Sequence, residues 1–293
     1  MSTMLRHEYF GPYKLIRPLG YAHGAARFVV LCNRTDTNYL LYRFQRINNH
    51  KFRRNLFDAF VKMSTLDHPH LLKIKSVSYD DHGQLCIITP YTGNHDGLVL
   101  LDDLLEIRGG KLSVAETARA LEHLLDAIAS AHAKHIFNGP INPSDILVDR
   151  YGALQIQFYG LTALTQDQRV SSHDHRCDHT SDAHASNVAD EIRSIVSLGY
   201  TMLTGLKPRS DRIAPSRVIK KLDRNWDTWF DIGLDPIDGF DTLDHAINAL
   251  PTRPRCSEWL TNKSPRRPQV HIGSMLRRFR TVSASDPQSS SKK

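Results

Sequence analysis

The chain has 293 residues, of which 40% are apolar and 24% are charged. This is the composition of a globular protein, and it excludes a collagen-like, coiled-coil or wholly disordered chain. The length suits one large domain or two lobes with a hydrophobic core. The sequence contains no run of about 18 apolar residues, so no membrane-spanning helix is predicted. No apolar signal segment follows Met1, so secretion is not expected. The four cysteines lie far apart without a CxxC pair, which favours reduced thiols in a cytoplasmic protein: Cys32, Cys86, Cys177 and Cys256.

The formal net charge of +7 is unevenly distributed along the chain. Residues 251–293 contain ten basic and two acidic residues, whereas the other 250 residues contain 28 basic and 29 acidic ones. The body is therefore close to neutral, and the basic charge belongs to an appendage.

Five strands and one helix are predicted within the first 90 residues. The strands are short β-branched or aromatic runs separated by turn residues, at 13–19, 28–32, 39–44, 71–79 and 84–89. The helix is predicted over residues 52–65, where apolar residues recur at helical spacing.

Beyond Pro90 the pattern becomes mainly helical. A long helix is predicted over 114–135, with Ser113 as its N-cap and Glu116 completing a capping box. A small hairpin is predicted over 146–158, a polar loop over 165–188, and two further helices over 191–206 and 240–250.

Eight short motifs then follow one another in a recognisable order: Leu19-Gly20, Leu66-Asp-His-Pro69, Pro90-Tyr-Thr-Gly93, Ala131-His132-Ala-Lys-His135, Pro143-Ser-Asp145-Ile-Leu-Val148, Tyr159-Gly160-Leu161, Met202-Leu-Thr-Gly205-Leu-Lys-Pro208 and Gly239-Phe240. In this order and at this spacing, residues 13–250 resemble the eukaryotic-type (Hanks-type) serine/threonine protein kinase domain, especially its bacterial members.

The resemblance implies an α+β, two-lobed protein-kinase-like fold. Residues 1–11 would be an N-terminal extension, and residues 12–92 a small lobe with a five-stranded antiparallel sheet and one helix. Residues 93–250 would form a large, mainly α-helical lobe, in which 165–188 takes the place of the activation segment. Residues 251–293 would be a basic, largely disordered tail.

The family's phosphate-binding groups are poorly matched. Kinases use a strand Lys, paired with a helix Glu, to hold the phosphates of ATP. The match places Arg43 at the Lys position and Ala59 at the Glu position, while Asp58 would point about 100° away around the helix. Gly20 and Gly24 remain of the glycine-rich loop.

The catalytic and metal-binding positions depart further. The H-R-D motif is matched by Asn138, Gly139 and Pro140, which offer no proton acceptor at the Asp position. The Asp of D-F-G is matched by Phe158, and the metal-binding Asn by Asp145, which could still bind a metal. The strand Lys, the catalytic base and the main metal ligand are all absent, which predicts a pseudokinase. No cofactor is assigned with certainty by the resemblance.

Two alternatives remain open at this stage. One is a divergent kinase that retains some ATP and Mg²⁺ binding, for which the resemblance implies Gly20, Gly24, Arg43, Thr89, Tyr91 and Asp145. The other is a protein whose basic tail docks on an anionic membrane or nucleic acid, since Ile272, Met275, Leu276 and Phe279 fall on one face of a short basic helix. The leading hypothesis is a cytoplasmic scaffold that binds a kinase or another signalling protein.

Glu191 and the His-rich loop each allow two interpretations. Glu191 is either a carboxylate that anchors the catalytic loop, as an Asp does in kinases, or a surface charge at a helix N-terminus. The His-rich loop is either a solvated polar loop or a Zn²⁺ site. Its candidate ligands are His173, His175, Cys177, His179 and His184.

Overall fold

The structure, a computed structural model, describes residues 8–91, 99–164, 180–209 and 211–251, with the backbone alone for 180–187.

The small lobe contains a curled antiparallel sheet. Six strands lie in the order β1-β2-β3-β4-β6-β5: β1 Tyr9–Phe10, β2 Tyr13–Ala22, β3 Ala25–Cys32, β4 Thr37–Phe44, β5 Ser76–Tyr79 and β6 Leu85–Pro90. The five predicted strands are present, and β1 adds a short sixth.

A single helix packs on one face of this sheet. Helix α1 spans His50–Met63, and the side chain of Asn49 caps it by accepting from the Phe52 N–H. The buried residues Leu56, Phe60 and Met63 of α1 form one core with inward-facing residues of β4 and β6. Because side chains alternate across a strand, the opposite face of the sheet forms a separate core, to which Tyr39, Leu41, Cys86 and Ile88 contribute.

The large lobe is mainly helical and carries a second, three-stranded sheet. Its strands are β7 Val99–Leu100, β8 Ile146–Val148 and β9 Leu154–Ile156. Its helices are α2 Leu101–Ile107, α3 Val114–His132, α4 Thr180–Thr204, α5 Pro215–Val218, α6 Asn225–Gly233 and α7 Leu243–Asn248. Helices α3 and α4 form the centre of the largest hydrophobic core.

The capping box predicted for α3 is confirmed. The Glu116 N–H donates to Ser113 Oγ at 3.3 Å, and Glu116 Oε2 accepts from the Ser113 N–H at 2.9 Å. Two donors that a helix start leaves without partners are satisfied in this way.

The helix boundaries of the large lobe correct the sequence prediction in two places. Helix α4 begins at Thr180, inside the segment predicted as the 165–188 loop, and Glu191 therefore lies in its interior. Helices α2, α5 and α6 were not predicted, although α6 buries Trp226, Trp229 and Phe230. None of the helices within the described ranges is long and apolar enough to span a membrane.

Candidate functional site

The hairpin at the glycine-rich position ends in a tight two-residue turn. Ala22 pairs with Ala25, so that His23 and Gly24 alone connect β2 to β3. Both turn residues have positive φ, at 52° and 74°, as a two-residue type I′ hairpin requires. Gly20 has a φ of 84° beside a register shift in β2, which is the place for a β-bulge.

The aromatic ring of Phe158, the residue matched to the Asp of D-F-G, is buried in the core of the small lobe. Phe158 is 2% exposed, and three rings meet it edge-on. The centroid distances are 4.8 Å to Tyr42 of β4, 5.5 Å to Phe60 of α1 and 5.3 Å to His23 of the hairpin. We call these four residues the aromatic plug. Edge-to-face packing of this kind is favourable for aromatic rings, so the plug joins both lobes through apolar contacts.

Arg43 does not lie in this cluster, which corrects the match that placed it at the strand Lys position. Tyr42 belongs to the core that contains Phe158, and the adjacent residue of a strand points to the opposite face. Arg43 Nη1 lies 2.7 Å from Glu8 Oε1, and Arg43 Nε lies 3.5 Å from Asp80 Oδ2. Its guanidinium also lies over the ring of Phe28. The side chain of β4 that faces the core with Phe158 is therefore the uncharged phenol of Tyr42.

The helix position expected to carry the paired Glu is also uncharged. Ala59 is partly buried against the same core. The neighbouring Asp58 is 59% exposed and lies 3.9 Å from Arg54 on the outer face of α1, in agreement with the angle predicted from helix geometry.

His23 connects the other rings of the plug to Asp145, the matched residue that retains metal-binding chemistry. His23 Nδ1 is 3.8 Å from Asp145 Oδ1, and Asn142 Nδ2 donates to Asp145 Oδ2 at 3.5 Å. Burial lowers the pKa of His23, and the Asp145 carboxylate partly opposes that effect. The lowered pKa favours the neutral imidazole, which takes up space beside the carboxylate.

The loop at the catalytic-loop position is held by hydrogen bonds and has no proton-accepting side chain at Pro140. Asn138 is buried, and its Oδ1 accepts from the Gly160 N–H at 2.8 Å. Gly139 has a φ of 75°, and Pro140 carries no group that could accept a proton. The loop is fixed to α4 through the Ile141 N–H, which donates to Ser194 Oγ at 3.0 Å.

Glu191 is an interior residue rather than a surface charge, and its carboxylate holds the end of α3 and Tyr159 instead of the catalytic loop. Its side chain is fully buried, and its Oε2 lies 2.9 Å from His132 Nε2. Its Oε1 accepts a hydrogen bond from the Tyr159 hydroxyl. Burial and the adjacent carboxylate raise the pKa of Tyr159 well above its usual value. The residue after Phe158 is thereby tied to the core of the large lobe.

Two of the candidate nucleotide-binding residues, Thr89 and Tyr91, lie at the end of β6 and directly after it. Thr89 is fully buried and is paired with Leu40 of β4, two residues along the strand from Tyr42 and hence on the same face of the sheet. The Tyr91 hydroxyl accepts from Arg17 Nη2 at 3.5 Å. Thr89 therefore lies on the same face of the sheet as the plug residue Tyr42.

The Zn²⁺ hypothesis falls outside what the structure describes. His173, His175, Cys177 and His179 lie outside the described residues, and His184 belongs to the part of α4 with a backbone description alone. Among the residues that are described, no three His, Cys, Asp or Glu side chains are grouped so that they could hold a metal ion.

The comparisons with known proteins support the kinase resemblance. The chain is 27% identical over 220 residues to CBL-interacting protein kinase 21 of Oryza sativa subsp. japonica, covering 69% of this chain. It is 25% identical over 224 residues to the serine/threonine-protein kinase PrkC of Bacillus subtilis, covering 72% of this chain. The matched segment spans 39% and 33% of the lengths of these two relatives. No protein-family model matches the chain.

The fold itself is shown by a solved structure. A mutant of the PknI kinase domain of Mycobacterium tuberculosis superimposes with a TM-score of 0.62 at 17% identity. The match covers 85% of this chain and 98% of that domain. The α+β, two-lobed protein-kinase-like fold predicted from the motifs is confirmed, and the similarity is to the Hanks-type serine/threonine kinases.

The sequence did not predict that Tyr42 and His23 would belong to the site. It also did not predict that Tyr159 would bind Glu191. Tyr42 could have been found from the alternation of β4, because Phe44 and Tyr42 share a face. His23 offered no comparable signal, since its contact with Phe158 depends on how the hairpin of one lobe meets the other lobe.

Proposed function

We propose that this chain is a catalytically inactive pseudokinase that acts as a signalling scaffold or regulator through protein binding. The observation that supports the proposal is the aromatic plug of His23, Tyr42, Phe60 and Phe158. In it, Phe158 stands at the position matched to the Asp of D-F-G, and Tyr42 takes the inward position of β4 next to Arg43. The lobes then serve as a rigid binding body rather than as a catalyst.

The physical reason lies in the charge balance of the site. Phosphoryl transfer is catalysed by positioning and by cations that offset the charge of the phosphates. Tyr42 and Phe158 replace a cation and a metal ligand with buried rings, and Pro140 replaces the base. A phosphate group placed here would lose hydration against buried rings, which is unfavourable by several kcal/mol for a charged group. The one cation beside Tyr42 among the described residues, Arg27, already donates to the Leu19 carbonyl at 3.2 Å.

The second candidate is a divergent kinase with residual ATP binding. It is favoured by the similarity to proteins named as kinases and by Asp145, whose carboxylate could still bind a cation. Arg43 no longer supports it, because its side chain is directed to the other face of the sheet.

A thermal-shift measurement with ATP, with and without Mg²⁺, separates the two candidates. A kinase that binds ATP with a Kd one-hundredth of the ligand concentration would gain about 2.7 kcal/mol by mass action. We expect no shift at millimolar ATP. Phosphotransfer by the pure chain that requires Mg·ATP and is lost in Asp145→Ala would contradict the pseudokinase proposal.

A further inference from the structure

The surface of the large lobe between α4 and α6 carries a local excess of positive charge. Residues 205–224 contain seven basic and two acidic residues, a net charge of +5, although the first 250 residues together are close to neutral. This segment, which we call the basic ridge, contains α5 and the turns on either side of it.

The carboxylates next to the ridge are committed to internal hydrogen bonds. Asp223 accepts from the backbone and side-chain nitrogens of Asn225, at 3.0 and 3.2 Å. Asp227 accepts from the Ser216 N–H at 2.8 Å and from the Ser216 hydroxyl. These bonds fix the start of α6 and its contact with α5. Both carboxylates keep their negative charge, and that of Asp223 is already included in the net charge of +5.

Asp231 pairs with one ridge cation, Arg212, at 3.2 Å. The six other ridge cations are exposed, and none has an ion pair with a described residue: Lys207, Arg209, Arg217, Lys220, Lys221 and Arg224. Asp211, which is also exposed, offsets one of them.

The ridge also exposes aliphatic side chains between its cations. Leu206, Ile213 and Val218 are 42%, 49% and 40% exposed. The ridge is nevertheless firmly anchored, because Ile219 and Leu222 pack against the core of the large lobe and the Tyr200 hydroxyl donates to the Ile213 carbonyl at 2.7 Å. The ridge is therefore anchored to the large lobe while its cationic and aliphatic side chains are both exposed to solvent.

We propose that the basic ridge docks the protein on an anionic lipid membrane surface. Interfacial binding combines attraction between Lys or Arg and anionic headgroups with partial insertion of apolar side chains, and the ridge supplies both. The described ridge residues include no aromatic side chain on which nucleic-acid bases could stack.

The test is sedimentation of the full-length chain with vesicles of phosphatidylcholine alone and with 30% phosphatidylserine added. The ridge variant combines Arg217→Gln, Lys220→Gln and Lys221→Gln. A charge-matched control combines Arg34→Gln, Lys51→Gln and Lys62→Gln, which are exposed cations of the small lobe. Circular dichroism melts of both variants establish that they are folded.

We expect the wild-type chain to bind the anionic vesicles and the ridge variant to bind them at least fivefold more weakly, whereas the control changes less than twofold. Binding of the wild type should weaken as salt rises, because exposed charges are screened. Val218→Ser at unchanged charge should also reduce vesicle binding, through loss of insertion.

Equal vesicle binding by the ridge variant and the control would overturn the proposal. So would a ridge variant that loses duplex DNA or poly-glutamate binding while it keeps vesicle binding, since that result assigns the ridge to a nucleic acid or an acidic protein. Because no step of this test involves nucleotide, its failure leaves the pseudokinase proposal standing, and the reverse also holds.

Discussion

The aromatic plug should behave as one cooperative unit that holds the two lobes together. Truncation of a nearly fully buried Phe side chain costs about 3–5 kcal/mol, and Phe158 is 2% exposed. Phe158→Ala should therefore lower the free energy of unfolding by that amount. At about 2–4 °C per kcal/mol for a domain of 150–250 residues, Tm should fall by roughly 6–20 °C.

A double-mutant cycle isolates the ring contact from the burial of each ring. Phe158→Ala and Tyr42→Ala, singly and together, are compared by urea denaturation with midpoints and slopes fitted for each variant. The 4.8 Å edge-to-face pair should give a coupling energy of about 0.5–1.5 kcal/mol.

The matched control is Phe28→Ala in place of Tyr42→Ala. Phe28 packs with the core on the opposite face of the sheet, so its effect should add to that of Phe158→Ala within about 0.5 kcal/mol. The reasoning is refuted if Phe158→Ala costs less than about 1 kcal/mol, or if its coupling with Tyr42 is no larger than its coupling with Phe28.

Three further predictions concern the large lobe and its contact with the small one. Ser113→Ala removes the cap of α3 and should cost about 0.5–2 kcal/mol in urea denaturation, whereas Ser113→Asn, which restores a capping oxygen, should recover most of it. Glu191→Ala leaves Tyr159 without its buried acceptor and should cost about 1–3 kcal/mol for each unpaired group; an unchanged urea midpoint would show that the anchor is not formed in solution. His123, whose pKa burial lowers to about 4, stacks on His70 at 3.9 Å. The unfolded chain therefore binds the proton more readily, so stability should fall as the pH drops from about 6.5 towards 4, and His123→Asn should reduce that fall between denaturation curves at pH 7 and pH 5.

The elements that the sequence predicted well are those with strong local signals. The capping residues of α3 and the apolar period of α1 each depend on neighbours within a few residues, and both elements formed as expected. Helix α6 was missed even though it buries Trp226, Trp229 and Phe230, because a nine-residue helix offers too few turns for a period to stand out.

The start of α4 was missed for a different reason. Residues 180–188 are mainly polar and continue a segment that contains four histidines between 173 and 184, a composition that favours a loop. The helix is nevertheless continuous from Thr180, and its apolar half, including Ile192, Ile195 and Val196, lies in the core of the large lobe. Tertiary packing of that half stabilises a helix whose first turns carry little propensity of their own.

The sequence by itself determined which chemical groups the site lacks. No alignment detail is needed to see that Pro140 offers no base or that Phe158 cannot bind Mg²⁺, because these are properties of the residues. What the sequence could not determine was the direction of a side chain, since a shift of one residue along β4 exchanges Arg43 for Tyr42 and moves a charge to the other face of the sheet. Only the tertiary structure decided that His23, Tyr42, Phe60 and Phe158 come from four separate segments into one contact, because that contact depends on the closure of one lobe on the other.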